Sequence, residues 1–280
     1  MNAPIPIPTL HLFQVLDQKL LELLKSLSPA EWESQTVAKL WKVKDVAAHL
    51  LDGNLRTLSM SRDRYFGEKA DNVQSYDDLI CYLNELNRSW VQAMKRVSPT
   101  VLIDLLESSG KEYISHLETL PPFENALFSV AWAGQQTSPN WFHIAREYTE
   151  KFLHQQQIRD AVNKPGIMTS ELFGTFMEVV IQAFPYTFQK MEAKNGTVVS
   201  LEITTEIGGI WSIIQAEDSW KLIKNPSSNP SAKVSMDPNT AWKLISKSWK
   251  PEDVKNLITI SGDPNLGMKV LEITSFMVLN

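Results

Sequence analysis

The side chains best able to do chemistry in this sequence are its histidines, His11, His49, His116, His143 and His154, and the carboxylates spaced around them. The segment 140–162 has helical spacing. On a helical wheel Trp141, Ile144, Ala145, Tyr148 and Phe152 form its apolar side, while His143, Glu147, Glu150, His154 and Gln157 fall on the opposite stripe. Residues four apart lie about 6 Å apart along a helix axis, so Glu150 with His154, or His143 with Glu147, could reach one ion from one helix. A third ligand from another helix would complete a His/Glu/His set with positions left for water or substrate, as in a catalytic site for zinc or a similar ion. His49 is the best third ligand: it lies at the edge of an apolar stripe, one turn before Gly53, where no side chain crowds it. Spacing alone leaves open which of the two pairs is used, and leaves open that the stripe is simply a solvated helix face.

Other chemistries lack support. There is no G-x-S-x-G, P-loop or G-x-G-x-x-G pattern, which argues against a serine hydrolase, an NTPase or a dinucleotide enzyme. Cys81 is the only cysteine, so neither an intrachain disulfide nor a thiolate cluster can form; between Ile80 and Tyr82 it reads as a small buried hydrophobe. His11 and His116 have no acidic or histidine neighbour at helical spacing on a polar stripe.

The elements that must position these residues change character along the chain. With 280 residues, two domains are expected. Helical periodicity marks Leu10 to Leu27, Val43 to about Tyr65, a Ser75-capped segment through Met94, a shorter and weaker stretch from Ser98-Pro99 to Leu120, and a helix from Asn140, its expected cap, to Val162. An up-and-down four-helix bundle over 1–165 is the economical architecture. Lys164-Pro165-Gly166 breaks the chain, and one more helix, about Ser170 to Met191, follows. The period then shortens to two: Val199, Leu201 and Ile203 alternate with polar residues, Gly208-Gly209 turns the chain, and Asp237-Pro238 and Asp263-Pro264 each start a helix, the second over Leu266 to Met277. Residues 166–280 therefore read as a small α+β domain with an antiparallel or mixed sheet.

Apolar residues are 43% and charged residues 21% of the chain, a globular balance. A net charge of -5 and a pI near 5.6, with no Lys/Arg run, argue against nucleic acid or an anionic membrane as partner. The lone cysteine and the lack of a signal peptide or a bilayer-length apolar stretch lead to the expectation of a cytoplasmic protein. Nothing in the sequence fixes the oligomeric state.

Two motifs carry a family resemblance. Leu40-Trp41-Lys42-Val43-Lys44-Asp45-Val46-Ala47-Ala48-His49-Leu50 resembles the W-x-V-x-D-V-x-x-H-L signature of DinB-like proteins, in the branch that includes mycothiol-dependent maleylpyruvate isomerases. The segment from Ile144 to Arg159 resembles that branch's R-x-x-E-x-x-x-H-x-x-D-I-R motif. The resemblance covers about residues 10 to 163. It implies a DinB-like bundle in which His49, Glu150 and His154 hold a divalent metal, zinc or nickel, and it sets His143 and Glu147 aside. This chain departs from the pattern at Gln157, where the family has an aspartate. The C-terminal half resembles a sterol-carrier-protein-like domain through Leu201 to Thr205, Gly208-Gly209-x-Trp211, Asp237-x-x-Thr240-Ala241-Trp242 and Ile260 to Asp263.

The function this implies is a metal-dependent thiol transferase or isomerase. The metal lowers the pKa of a low-molecular-weight thiol, and the thiolate adds to an electron-poor carbon of a small-molecule substrate. Arg88, near the middle of its helix, is the expected partner for a substrate carboxylate, although an exposed arginine is the plainer reading. Twenty lysines against seven arginines point away from the GC-rich genomes in which mycothiol is found, so the thiol stays open. The alternative is a non-catalytic two-domain module that binds a metal or an apolar ligand.

Overall fold

The computed structural model describes residues 4–67, 70, 73–223 and 229–276. It divides into two compact units: one takes in the chain up to Leu127 together with Pro139–Ile167, the other Phe128–Ser138 and Met168–Phe276.

The first unit is helical. Its long helices are α1 (Leu10–Lys25), α3 (Val43–Thr57), α4 (Tyr76–Met94), α5 (Pro99–Thr119) and α6 (Asn140–Val162), with a single turn, α2 (Pro29–Trp32), between the first two. Local chemistry starts several of them. Ser28 and Glu31 form a capping box on α2, Ser75 accepts from the Asp78 N–H on α4, and Ser98 accepts from the Val101 N–H on α5 ahead of a proline. α1 and α3 each pack on both α5 and α6, so these four surround one core, and α4 lies against α3. That core includes Leu20, Leu24, Val43, Val46, Leu50, Leu102, Leu106 and Ile158.

Four expectations need correction. α5 is a full 21 residues and carries much of the core through Leu102, Leu106, Tyr113 and Leu117, so its weak periodicity understated it. α3 stops at Thr57 and widens into a π-turn, Leu58–Arg62, instead of running on to Tyr65. Pro139, not Asn140, caps α6; the Asn140 side chain is drawn off to donate to the Pro121 carbonyl at 2.9 Å. Cys81 is exposed: on α4 it is the neighbouring Ile80 that turns inward, as only one face of this helix meets α3.

The second unit is α+β. Its sheet has the order β3-β2-β1-β4-β5, where β1 is Val198–Ile203, β2 Gly209–Ala216, β3 Ser219–Ile223, β4 Ala232–Met236 and β5 Ile258–Gly262. β1 and β4 pair in parallel and the other neighbours are antiparallel, which makes the sheet mixed. At the β1–β2 turn a Cβ on Gly208 would lie 2.0 Å from the Ile203 carbonyl oxygen, so only glycine fits there. The expected helix over 170–191 is interrupted. α7 (Leu172–Val180) passes through a 3₁₀ turn, Ile181–Ala183, into α8 (Phe184–Phe188), because Pro185 cannot donate to the Ile181 carbonyl four residues back. Asp237 and Asp263 cap α9 (Pro238–Ile245) and α11 (Pro264–Val270), each accepting from two backbone N–H groups, with the short α10 (Pro251–Val254) between them. α11 ends seven residues before the expected Met277, which lies outside the described residues.

Arg159 closes the end of α6. Its guanidinium donates to the carbonyls of Lys164 and Pro165, both at 3.1 Å, and of Lys19 on α1 at 2.9 Å. Removing it strands three carbonyls that a charged donor now satisfies. Arg159→Ala is expected to lower unfolding free energy by about 2–4 kcal/mol, read from urea denaturation followed by circular dichroism; an unchanged midpoint would show that water replaces the clamp at no cost.

Candidate metal centre

α6 is the pivot of the first unit, and its polar stripe does not face water. Phe142, Ile144, Ala145, Tyr148 and Phe152 are buried, but so are His143, Lys151, Gln155, Gln156, Gln157 and Arg159. The helix packs against α1 and α3, and Tyr113 of α5 reaches it, so the buried polar residues must find partners within the bundle.

At one end of the stripe stand the residues singled out by spacing. The rings of His49 on α3 and His154 on α6 meet edge to face with centroids 4.6 Å apart. Glu150, one turn before His154, places Oε2 3.4 Å from His154 Nε2. Trp41, just ahead of α3, lies 4.8 Å from the His49 ring and 6.1 Å from the His154 ring and walls this corner. α3 is held toward α4 by the Trp90 indole, which donates to the Ala48 carbonyl at 2.8 Å. Gln157, standing where the family motif has aspartate, accepts from His154 Nδ1 at 2.9 Å through its carbonyl oxygen.

Because the Gln157 oxygen can only accept, this contact is a hydrogen bond when His154 carries a proton on Nδ1. With Nδ1–H donating to an amide oxygen, the neutral His154 ring turns its Nε2 lone pair toward the Glu150 carboxylate. Two acceptors in contact require a proton or a cation between them. His49 adds a second unmet need, because its Nδ1 is buried without a hydrogen-bond partner. Burial above all, with the cations Arg56 and Lys151 adding to it, holds this imidazole well below its ordinary range, in the neutral form that ligates metal. The donor set, two imidazoles and a carboxylate, is one that borderline divalent ions accept. As the side chains stand, no group of three or more His, Cys, Asp or Glu among the described residues is arranged to hold an ion.

The second pair from the wheel, His143 and Glu147, belongs to a separate buried network. Glu147 pairs with Arg146 and accepts from the Tyr113 hydroxyl at 2.9 Å, and its carboxylate is 4.0 Å from His143 Nε2. Burial would raise the Glu147 carboxyl, but Arg146, His143 and the Tyr113 hydroxyl outweigh it and hold it below its usual range. Its charge is therefore spent on an arginine and a phenol.

Lys151, which sequence reasoning passed over, continues this network. It donates to Asn54, lies 3.9 Å from Asp17 and sits 4.7 Å over the Tyr113 ring. Asp17 can reach in because α5 has Gly110 opposite, where a Cβ would stand 2.4 Å from Asp17 Oδ2. The available signal was that Lys151 lies four residues after Glu147 and three before His154, on the same stripe. Arg88 is on the exposed side of α4, 69% accessible at its side chain and paired with Glu85. His116 is buried against Ser61, 2.8 Å away, and takes no part in the centre.

The chain matches the family described as mycothiol maleylpyruvate isomerase N-terminal domain over residues 13–159, just over half its length. Aligned on Glu150 and His154, the family motif's arginine falls at position 147, where this chain has Glu147; Arg146 stands one residue earlier. No curated protein sequence matches the chain. Among solved structures, it resembles the mycothiol-dependent maleylpyruvate isomerase and a histidine-to-alanine mutant of that enzyme, each with a TM-score of 0.56 and 12% identity over 92% of this chain and 93% of the other. At that identity the likeness establishes a shared fold. No helix among the described residues is long and apolar enough to cross a membrane.

The buried histidines give a pH signature. Burial and Arg146 lower His143 to about 4, so the unfolded chain binds a proton there below pH 6.5 that the folded chain refuses until about pH 4. Stability should therefore fall as pH drops through this window, with His143 adding about 1.4 kcal/mol per pH unit to the slope. The urea midpoint of His143→Gln, measured from pH 7 to 4.5, should fall less steeply than that of the parent; parallel slopes would assign the acid loss to other groups.

Proposed function

The chain belongs to the mycothiol maleylpyruvate isomerase N-terminal domain family, and from that membership we propose an enzyme in which His49, Glu150 and His154 hold one divalent ion, zinc or nickel, next to a low-molecular-weight thiol. The observation that carries this reading is the meeting of His49 and His154, 4.6 Å apart from two helices, with Glu150 on the Nε2 of one and the Nδ1 of the other sealed without a partner. When bound, such an ion lowers the pKa of a coordinated thiol and so supplies thiolate near neutral pH.

The protein's own groups do the rest. Gln157 keeps the His154 proton on Nδ1 and so leaves Nε2 as the ligating nitrogen. Trp41 covers the two rings and excludes water from that side. A thiolate held here adds to the electron-poor carbon of an alkene conjugated to a carbonyl, forming a C–S bond as the π electrons move onto the carbonyl oxygen. Rotation about the new single bond, return of the electron pair and departure of the thiolate give the isomerised alkene. Thiol transfer is the outcome if the adduct is protonated on carbon instead. The second unit is a small α+β domain that we read as sterol-carrier-like, with 1–165 and 166–280 as the functional division of the chain.

Metal analysis of the purified protein should give one ion per chain, lost in the His49→Ala, His154→Ala double variant; full retention there would overturn the ligand assignment. Metal affinity should fall as pH drops through the ordinary histidine range near 6.5, because protons compete for the imidazoles. Gln157→Asp places a carboxylate on His154 Nδ1 and should tighten metal binding by up to about tenfold, measured by competition with a chromogenic chelator. Thiol-dependent activity that survives complete metal removal would eliminate this mechanism.

A further inference from the structure

One face of α3 leads directly away from the centre. His49, Asp52, Gly53 and Arg56 follow at helical spacing, so Arg56 stands two turns from His49, about 10 Å along the axis. Between them the surface is open: a side-chain carbon at Gly53 would meet nothing within 4 Å. Arg56 closes the far end of this notch, with Nε 2.9 Å from Asp52 Oδ2 and its side chain 33% accessible.

The state of that guanidinium is informative. Asp52 is buried, and burial raises its carboxyl against the pull of Arg56. Arg56 Nε and Asp52 Oδ2, though close, are both buried without a well-aligned hydrogen bond. Among the described residues the terminal nitrogens meet only the Asn87 side-chain Oδ1 on α4, at a long 3.4 Å. Asp52 thus holds the guanidinium from its Nε side, and the end that makes paired hydrogen bonds to a carboxylate is left with its donors to spare.

Among the described residues, Lys151, Arg146 and Arg88 already have partners. Lys151 is taken by Asn54, Asp17 and the Tyr113 ring, Arg146 by Glu147 and His143, and Arg88 by Glu85 on the exposed side of α4.

We propose that Arg56 is the anchor for a carboxylate of the substrate, which lies along the Gly53 notch with its reacting double bond toward His49 and His154. This rests on the metal-thiol reading above and has Arg56 select substrates that carry a carboxylate close to the reacting double bond. Arg56 acts as a specificity residue: it discriminates by charge and leaves the bond changes to the thiol.

The test pairs substrate and protein changes. The Z isomer of acetylacrylate and its neutral methyl ester are isomerised by the metal-loaded protein, with cysteamine and glutathione in parallel. In Arg56→Gln the ratio of kcat/KM for acid over ester should fall about tenfold to a hundredfold, the usual worth of a charge-assisted hydrogen bond. An unchanged ratio overturns the assignment. Gly53→Leu fills the notch from a position where the fold has room and should depress both reactions; full activity in that variant also counts against the site. Circular dichroism and urea midpoints establish that both variants fold. Calorimetric titration of the metal-free protein with maleate gives a readout independent of turnover, with binding expected in the parent and lost in Arg56→Gln. If neither compound reacts in the parent, the metal-thiol reading falls and the titration alone decides: loss of maleate binding in the variant upholds the carboxylate site, and equal binding overturns it.

Discussion

A helix whose polar stripe is largely buried dictates most of what surrounds it. Transfer of unpaired charge to a protein interior costs several kcal/mol per group, so the inward residues of α6 can exist only if neighbouring helices supply partners in register. α1 contributes Asp17, α3 contributes Asn54 and His49, and α5 contributes Tyr113. Gly110 on α5 follows from the same demand, because a larger residue would push Asp17 away from Lys151. The packing of these helices is therefore set by polar matching as well as by the apolar core.

Along that stripe the demand is met unevenly. At the His143 end the charges close on one another: Glu147 has an arginine and a phenol, and Lys151 has a carboxylate, an amide and an aromatic face. At the His154 end they do not. His49 Nδ1 has no hydrogen-bond partner, and the Glu150 carboxylate lies 3.4 Å from His154 Nε2 while Nδ1 of that ring meets Gln157. One helix thus carries a network whose charges are paired with one another, and a second cluster in which the buried His49 Nδ1 has no hydrogen-bond partner. Two pairs with the same four-residue spacing and the same residue types thus stand in different surroundings.

The substitution at Gln157 fits the same logic. Any acceptor at that position can take a proton from Nδ1, so an amide preserves the orientation of His154; only the negative charge that would raise the basicity of the ring is given up. The exchange at 147 is larger. A glutamate in the motif's arginine position reverses the local charge, and Arg146, whose guanidinium bonds Glu147 and the His143 ring, restores it from one residue away.

The sequence by itself determined the elements with strong local signals: the amphipathic helices of the first unit, the serine and aspartate caps, the change of period near residue 195, and the Gly208 turn. It also brought forward His49, Glu150 and His154, through spacing joined to family motifs. What local signals could not supply were features that arise only when helices meet. β4 alternates over just five residues, too short a run to stand out beside Pro230 and Asp237-Pro238. Cys81 and Ile80 differ by 100° of helical rotation, and the side that α3 approaches decides which one is buried. The role of Lys151 depends on Asp17, Asn54 and Tyr113, separated from it by up to 134 positions, and the meeting of His49 with His154 spans 105. Periodicity reports the direction of a side chain relative to its own helix axis. Tertiary packing alone sets what stands in that direction, and on α6 that was the difference between a solvated face and a buried polar core.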